Sequence, residues 1–141
     1  MRHCACARGV RRRMTPIRTP TERPMQPEAQ AVFATLAHDT RLRALVLLQQ
    51  HAELCVCELT HALGASQPHI SRHLALLRET GLVVDRRAGT WVFYRLNPAL
   101  PGWVARVLQE TSAGVTHQPP FTDDARALDA MADRPDSVRC P

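Results

Sequence analysis

The sequence predicts a mainly α-helical domain that carries one small β-hairpin, with its elements in the order α-α-α-α-β-β-α. Apolar residues recur at helical spacing from about residue 27 onward. Two short helical segments meet at a tight turn that contains Gly64. Two runs of strand-forming residues, 83–87 and 91–96, follow with a short turn between them. A hairpin directly after such a helix pair is typical of a winged helix-turn-helix.

Composition divides the chain into three segments. Residues 1–26 are rich in Arg and Pro without apolar periodicity, which predicts a disordered basic arm, and Met14 or Met25 is an alternative start. We expect residues 27–111 to form the domain and residues 112–141 to form a flexible acidic tail. The net charge of +5 lies mostly in the arm. DNA binding therefore has to be argued from the fold rather than from charge.

Other sequence-wide features indicate a cytoplasmic protein without a membrane partner. No apolar run approaches the roughly 20 residues that a membrane span needs. The N-terminal arginines are not followed by the apolar stretch of a secretory signal. The five cysteines are odd in number and unevenly spaced, so we expect free thiols rather than a disulfide framework.

The first two helices are predicted from apolar positions three and four residues apart. Val32, Phe33 and Leu36 give the first helix one apolar face. The pattern breaks at residues 38–40 and resumes in a second helix, for which Asp39 or Thr40 is a suitable N-cap.

The next two helices form the predicted helix-turn-helix. Gly64 is a natural residue to end the first of them, and Ser66 is a suitable N-cap for the second, with Pro68 in its first turn. Buried positions are expected on both helices: Leu54, Leu59, Leu63, Ile70, Leu74 and Leu77. The opposite side of the second helix is small, polar or basic, as a helix in the major groove requires. The predicted DNA contacts are Ser66, Gln67, His69, Ser71, Arg72 and, on the wing, Arg86 and Arg87.

A last helix is predicted from Pro98 to about Thr111. Trp103 and Val107 lie on its apolar face. Large apolar residues on a terminal helix of a small domain often pack against a partner.

Three stretches in the correct order, residues 53–59, 66–78 and 81–96, resemble the ArsR/SmtB family, and most closely its arsenic-responsive branch. The resemblance covers about residues 28–111. It implies a homodimer that represses a resistance operon by binding double-stranded operator DNA. It also implies a dimer interface made by the first and last helices, here Val32, Phe33, Trp103 and Val107.

The resemblance also implies an inducer site without a permanent cofactor. Cys55 and Cys57 match the family's Cys-Val-Cys site, which takes As(III) or Sb(III). Thr60 stands where some relatives have a third cysteine, so Cys140, Cys4 or Cys6 is a candidate third ligand. Cys4 and Cys6 also keep open a branch that binds Cd(II) or Pb(II) through an N-terminal arm. The zinc sites of other branches need Asp or His on the last helix, and residues 98–111 have neither.

The spacing of the two cysteines suggests how a ligand would act. Thiolates suit a soft ion. On a helix, residues i and i+2 lie about 200° apart, whereas in an extended segment they share a face. One ion bound by both sulfurs is therefore expected to unwind the first turn of the third helix and so to change DNA affinity.

Two alternatives use the same cysteines differently. The first is a repressor of the same fold that senses thiol oxidation. The second, more remote, is a small thiol enzyme, but the sequence lacks a βαβ pattern, a Cys-x-x-Cys motif and an evident acid–base partner. We therefore expect no enzymatic activity.

Overall fold

The computed structural model describes residues 27–134. Within them the chain forms six helices and three strands: α1 (Ala29–Leu36), α2 (Asp39–Gln50), β1 (Leu54–Cys55), α3 (Val56–Leu63), α4 (Gln67–Glu79), β2 (Val83–Ala88), β3 (Trp91–Leu96), α5 (Gly102–Val115) and α6 (Phe121–Asp129). The predicted helix-turn-helix is α3–α4 and the predicted wing is β2–β3, so the winged-helix prediction is confirmed. The strand β1 and the helix α6 were not expected. The predicted basic arm, with Met14 and Met25, lies outside the described residues.

The helix ends follow from local hydrogen bonds. At the start of α4, Ser66 Oγ accepts a hydrogen bond from the backbone N–H of His69 at 3.4 Å, as expected of an N-cap. Gly64 ends α3 in the left-handed conformation, with φ of 62°. At the start of α2 the prediction of Asp39 or Thr40 as N-cap is wrong. His38 holds that position, because its ring Nδ1 accepts from the backbone N–H of Thr40 at 3.2 Å.

The core forms where α2, α3, α4 and the wing meet. All six positions predicted to be buried on the helix pair are buried: Leu54, Leu59, Leu63, Ile70, Leu74 and Leu77. Leu82, Val83 and Phe93 continue this core into the wing. Since both helices of the helix-turn-helix and the hairpin share one core, their relative positions are fixed by packing.

The sheet has three strands in the order β1-β3-β2, all antiparallel. The hairpin register runs from Val83 opposite Leu96 to Ala88 opposite Trp91. Strand β1 pairs Cys55 with Phe93 on the other side of β3. The cysteine segment is thus hydrogen-bonded to the central strand of the wing sheet.

The prediction that residues 112–141 form a flexible tail is wrong for residues 112–134. Helix α5 continues to Val115, and α6 packs against α2 and α3 with Leu128 fully buried. Asp124 on α6 is also buried, and its Oδ2 accepts a hydrogen bond from Arg43 Nε at 2.8 Å. This ion pair joins residues 81 positions apart. Within residues 27–134 no helix is long and apolar enough to cross a membrane.

Candidate cysteine site and nucleic-acid interface

The two cysteines meet at the junction of β1 and α3. Cys55 is the N-cap of α3 and has extended backbone angles (φ −83°, ψ 166°), while Cys57 lies in the first turn. Their Cα atoms are 5.4 Å apart and their sulfurs are joined in a disulfide. The expectation of free thiols therefore does not hold for this pair. The premise of the expected unwinding, that both cysteines are helical, is wrong, because Cys55 is extended and the sulfurs converge on an intact helix.

Cys55 also caps the helix that follows it. Its Sγ accepts a hydrogen bond from the backbone N–H of Glu58 at 3.4 Å. The backbone N–H of Cys55 donates in return to Glu58 Oε2 at 2.7 Å, which completes a capping box. The other Glu58 oxygen accepts from Arg134 Nε at 2.9 Å. The Cys-x-x-Glu spacing could have predicted this capping box, with sulfur in place of the usual hydroxyl. The contact with Arg134 could not have been predicted, because Arg134 is distant in the sequence.

Cys57 faces a cavity of about 500 Å³. The cavity lies between α3, the recognition helix α4 and the wing. Thr60 and His61 of α3 line it, as do Gln67 at the start of the recognition helix α4 and residues 90–92 of the wing. Cys57 is half-buried, whereas Cys55 is only 1% exposed. A ligand that reaches Cys57 therefore enters the space between the recognition helix and the wing.

The wing and the cysteine segment are also connected by an ion pair. Arg86 Nε donates to both carboxylate oxygens of Glu53, at 3.0 and 2.8 Å, and the guanidinium lies 4.7 Å from the centre of the Phe93 ring. Arg86 was predicted to contact DNA, but the structure directs it to the residue that precedes β1. Arg87 is exposed on the wing, in keeping with its predicted role. This pair is not predictable from the sequence pattern, because its members are 33 residues apart.

Most predicted contacts on α4 lie on one exposed side of the helix: Ser66, Gln67, Ser71 and Arg72 are all exposed. His69 differs from them. It is half-buried, and its Nε2 lies 3.1 Å from Thr40 Oγ1 on α2. The side chain of His69 therefore extends from α4 toward α2, a geometry that does not favour its predicted contact with a base edge.

Three histidines form a cluster where the recognition helix α4 meets the start of α2. The His73 ring centre is 4.3 Å from that of His38 and 4.5 Å from that of His69. Its Nδ1 lies 3.3 Å from the guanidinium of Arg41. Burial lowers the pKa of His73, and the neighbouring charges of His38, His69, Arg41 and Arg72 lower it further.

This cluster predicts an acid-sensitive fold. Because the pKa of His73 is lower in the folded protein than its ordinary value near 6.5, the unfolded chain binds a proton first as the pH falls. The contribution of His73 to the free energy of unfolding is thus unchanged above about pH 6.5 and becomes progressively unfavourable below it. Urea denaturation at pH 7.5 and 5.5 measures how far the free energy of unfolding falls between the two values. We expect a smaller fall in His73→Gln, and an equal fall would contradict this role of His73.

The predicted dimer residues have different exposures. Phe33 is 54% exposed, and Trp103 and Val107 are half-buried. Val32 is fully buried within its own chain. The prediction that Val32 contacts a second subunit is therefore wrong, because its helix turns that side toward α2 and the core.

Among residues 27–134, no group of three or more His, Cys, Asp or Glu side chains is arranged to hold a metal ion. Thr60, at the position of a third cysteine, donates its hydroxyl to Val56 O at 2.7 Å and so satisfies the helix backbone. The other candidate ligands, Cys4, Cys6 and Cys140, lie outside the described residues. The described part of the site therefore offers two sulfurs.

Comparison with known proteins agrees with this geometry. The family model "Bacterial regulatory protein, arsR family" matches residues 38–84. The chain is 53% identical over 112 residues to the arsenic resistance transcriptional regulator ArsR1 of Pseudomonas putida, covering 77% of this chain and 84% of the relative. It is 56% identical over 79 residues to the arsenical resistance operon repressor of Escherichia coli, covering 56% of this chain and 68% of the relative.

A solved structure extends the likeness. The antimony-specific transcriptional repressor AntR superposes with a TM-score of 0.52 at 29% identity, covering 75% of this chain and 90% of that one. The family and these relatives are transcriptional regulators, so the thiol-enzyme alternative is wrong. The chain therefore belongs to the ArsR family of bacterial regulatory proteins, with a winged helix-turn-helix for binding DNA.

Proposed function

We propose that this protein is a cytoplasmic, metalloid-responsive repressor that binds operator DNA as a homodimer and leaves it when As(III) or Sb(III) binds Cys55 and Cys57. The observation that carries the proposal is the position of Cys57. Its cavity is lined both by Gln67 of the recognition helix and by Thr90 of the wing. Relatives named for arsenic resistance and a neighbour named for antimony support the choice of ion.

DNA binding is assigned to the exposed side of α4 and to the wing. The N-terminal turn of α4 offers backbone N–H groups and the short side chain of Ser66 to phosphates. Arg72 is exposed on the same helix and Arg87 on the hairpin. A dimer through α1 and α5 would cover Phe33 and present two recognition helices to successive major grooves.

The metalloid acts where the two DNA-reading elements meet. Arsenous acid exchanges two of its hydroxyl groups for As–S bonds to the reduced cysteines, and the two thiol protons leave with those hydroxyl groups as water. The Cys55 sulfur then bonds arsenic in place of capping Glu58 N–H, and the added ion lies beside Gln67 and the wing. A coupling of about 1–3 kcal/mol between the two sites suffices for a 5–150-fold change in DNA affinity.

Because the exposed side of α4 is assigned to DNA binding, we expect Arg72→Ala to have a lower affinity for operator DNA. Removing one guanidinium from the groove-facing side of α4 is expected to weaken operator binding by about 1–3 kcal/mol. Fluorescence anisotropy with a labelled operator fragment measures this change. Arg126→Ala is a charge-matched control on α6, where the side chain is 81% exposed. Equal effects of the two substitutions would exclude a specific role for Arg72.

The inducer assignment is tested on the same complex. Arsenite is expected to dissociate the reduced, full-length protein from its operator. Cys140→Ser, tested in parallel, shows whether Cys140 is the third ligand of the arsenic. If arsenite affinity and sulfur coordination number are unchanged in this variant, Cys140 is not a ligand.

A second candidate function is a thiol-redox or Cd(II)/Pb(II)-sensing repressor of the same fold. The proximity of the sulfurs favours the redox form, since the structure joins them in a disulfide. Peroxide would convert the two thiols to a disulfide and itself to two waters. Release by arsenite, Cd(II) and peroxide at matched concentrations separates the candidates. Release by peroxide or Cd(II) alone would replace the metalloid proposal.

A further inference from the structure

The histidine cluster at the junction of α2 and α4, which consists of His38, His69 and His73, gathers basic groups without an acid among them. The centre of the His73 ring lies 4.3 Å from that of His38 and 4.5 Å from that of His69. The other charged groups that act on His73 are Arg41 and Arg72. Every charged group that acts on this ring is therefore a base.

The charged groups of the adjoining helices do not balance the cluster. Asp39 at the start of α2 pairs with Arg43 instead, and its side chain is 69% exposed. Arg41 donates to two backbone carbonyl groups at the end of α1 and makes no ion pair with another described residue. A group of basic side chains that lacks a counter-charge favours an anion from outside the chain.

Hydrogen bonds fix the neutral tautomers of two of the rings. His38 Nδ1 accepts from the backbone N–H of Thr40 at 3.2 Å, and His73 Nδ1 lies 3.3 Å from the guanidinium of Arg41, which only donates. Both rings therefore carry their proton on Nε2. These Nε2–H groups make no hydrogen bond with another described residue. Since no described side-chain nitrogen is both buried and without a partner, the two N–H groups reach the surface.

His69 is the ring that can gain a proton without losing a hydrogen bond. Its Nε2 lies 3.1 Å from Thr40 Oγ1, and a hydroxyl group accepts as readily as it donates. A second proton on His38 or His73 has to take an Nδ1 that already accepts. When His69 is charged, its Nδ1–H becomes a third donor beside the two Nε2–H groups.

The cluster borders the side of α4 that is assigned to DNA. Ser66 and Gln67 precede His69, Arg72 follows it, and all three of these neighbours are exposed. A recognition helix in the major groove lies between two phosphate backbones, and about half or more of protein–DNA hydrogen bonds go to phosphate or sugar. The anion that fits this position is therefore a phosphate of the operator.

We propose that His38, His69 and His73 bind a backbone phosphate of operator DNA, and that His69 takes up a proton as the phosphate binds. The proposal rests on the proposed function, because operator DNA is the ligand, but the cysteines take no part in it. A phosphodiester keeps its negative charge between pH 8 and 6, and a nearby negative charge favours the charged form of an imidazole. Protonation and DNA binding therefore strengthen each other, so operator affinity rises as the pH falls.

The experiment is fluorescence anisotropy of a labelled operator fragment with the reduced, full-length protein from pH 8 to pH 6 at constant ionic strength. Uptake of one proton is expected to raise the affinity about three- to tenfold over this range. The slope of log affinity against log salt concentration is expected to steepen by up to about 0.9 at pH 6, because one more cation meets a phosphate. Replacing each flanking phosphate in turn by an uncharged methylphosphonate is expected to identify one position at which the pH dependence disappears.

Two variants of His69 and one control locate the proton. His69→Gln is expected to bind the operator equally at pH 8 and pH 6, because the amide does not titrate. His69→Lys carries a permanent charge, so it is expected to bind at pH 8 as tightly as the native protein does at pH 6. His117→Gln is the matched control, because His117 is an exposed histidine between α5 and α6, and it is expected to keep the native pH profile.

The outcomes separate this proposal from the one on which it rests. A fall in operator affinity on acidification, or an equal rise in His69→Gln and the native protein, overturns the phosphate contact and leaves the repressor proposal standing. A rise that persists with every methylphosphonate overturns it as well. If the folded native protein binds no operator fragment at either pH, the proposed function fails and this proposal fails with it. Far-ultraviolet circular dichroism at both pH values shows that each variant is folded.

Discussion

Replacing Cys57 by serine is expected to leave operator affinity within about twofold and to abolish release by arsenite. The side chain is half-buried at the edge of a cavity, and the reduced protein in which release is measured does not contain the bond between its sulfur and that of Cys55. Serine has nearly the same shape but is a poor ligand for a soft ion. Cys55→Ser is expected to behave alike, since a serine hydroxyl at the N-cap accepts the Glu58 N–H that sulfur accepts now.

Fluorescence anisotropy of a labelled operator, with and without arsenite, measures both properties in each variant. The two serine variants control for each other, because one changes a buried capping residue and the other a cavity-facing one. If both variants lose DNA binding in the absence of arsenite, the cysteines are structural and the inducer site is refuted.

Arg43→Ala is expected to lower the free energy of unfolding by about 3–5 kcal/mol. Arg43 pairs with Asp124, whose side chain is 3% exposed, and its removal leaves that carboxylate buried without its partner charge. The hydrogen bond with Asp124, offset in part by burial, raises the pKa of Arg43, so the guanidinium keeps its charge beside that carboxyl group. The prediction also tests whether α6 belongs to the domain.

Urea denaturation followed by circular dichroism gives the free energy. Asp39→Ala provides the control, because Asp39 also pairs with Arg43, at 3.3 Å, but its side chain is 69% exposed. An exposed pair of this kind contributes about 0.3–0.5 kcal/mol. Similar small losses in both variants would mean that α6 is not part of the cooperative fold.

The fold was predictable where residues close in sequence determine the structure. The stripe of Ile70, Leu74 and Leu77 predicted which side of α4 is buried, and Ser66 and Gly64 predicted where helices begin and end. Helix α6 was missed, because its burial depends on Leu128 and on a carboxylate that pairs with a distant arginine. In the sequence alone, a short run that is rich in aspartate resembles a solvated tail, because the distant arginine that pairs with it is not evident.

The candidate site was predictable in its residues but not in its geometry. The spacing of Cys55 and Cys57 indicates a paired site, but it does not show that Cys55 is extended rather than helical. Strand β1 is only two residues long, too short for an alternating pattern, and pairing with β3 holds Cys55 extended. The pairing of Arg86 with Glu53 was likewise invisible, since its members lie on elements that the fold brings together.

We predict that one arsenic atom bonds both Cys55 and Cys57 in the form of the protein that has left DNA. Arsenic K-edge X-ray absorption of the reduced protein with one equivalent of arsenite tests it directly, with the Cys55→Ser/Cys57→Ser double variant measured alongside. We predict sulfur ligands on arsenic in the native protein and oxygen ligands only in the double variant. An arsenic–sulfur shell of the same size in both proteins would contradict the claim.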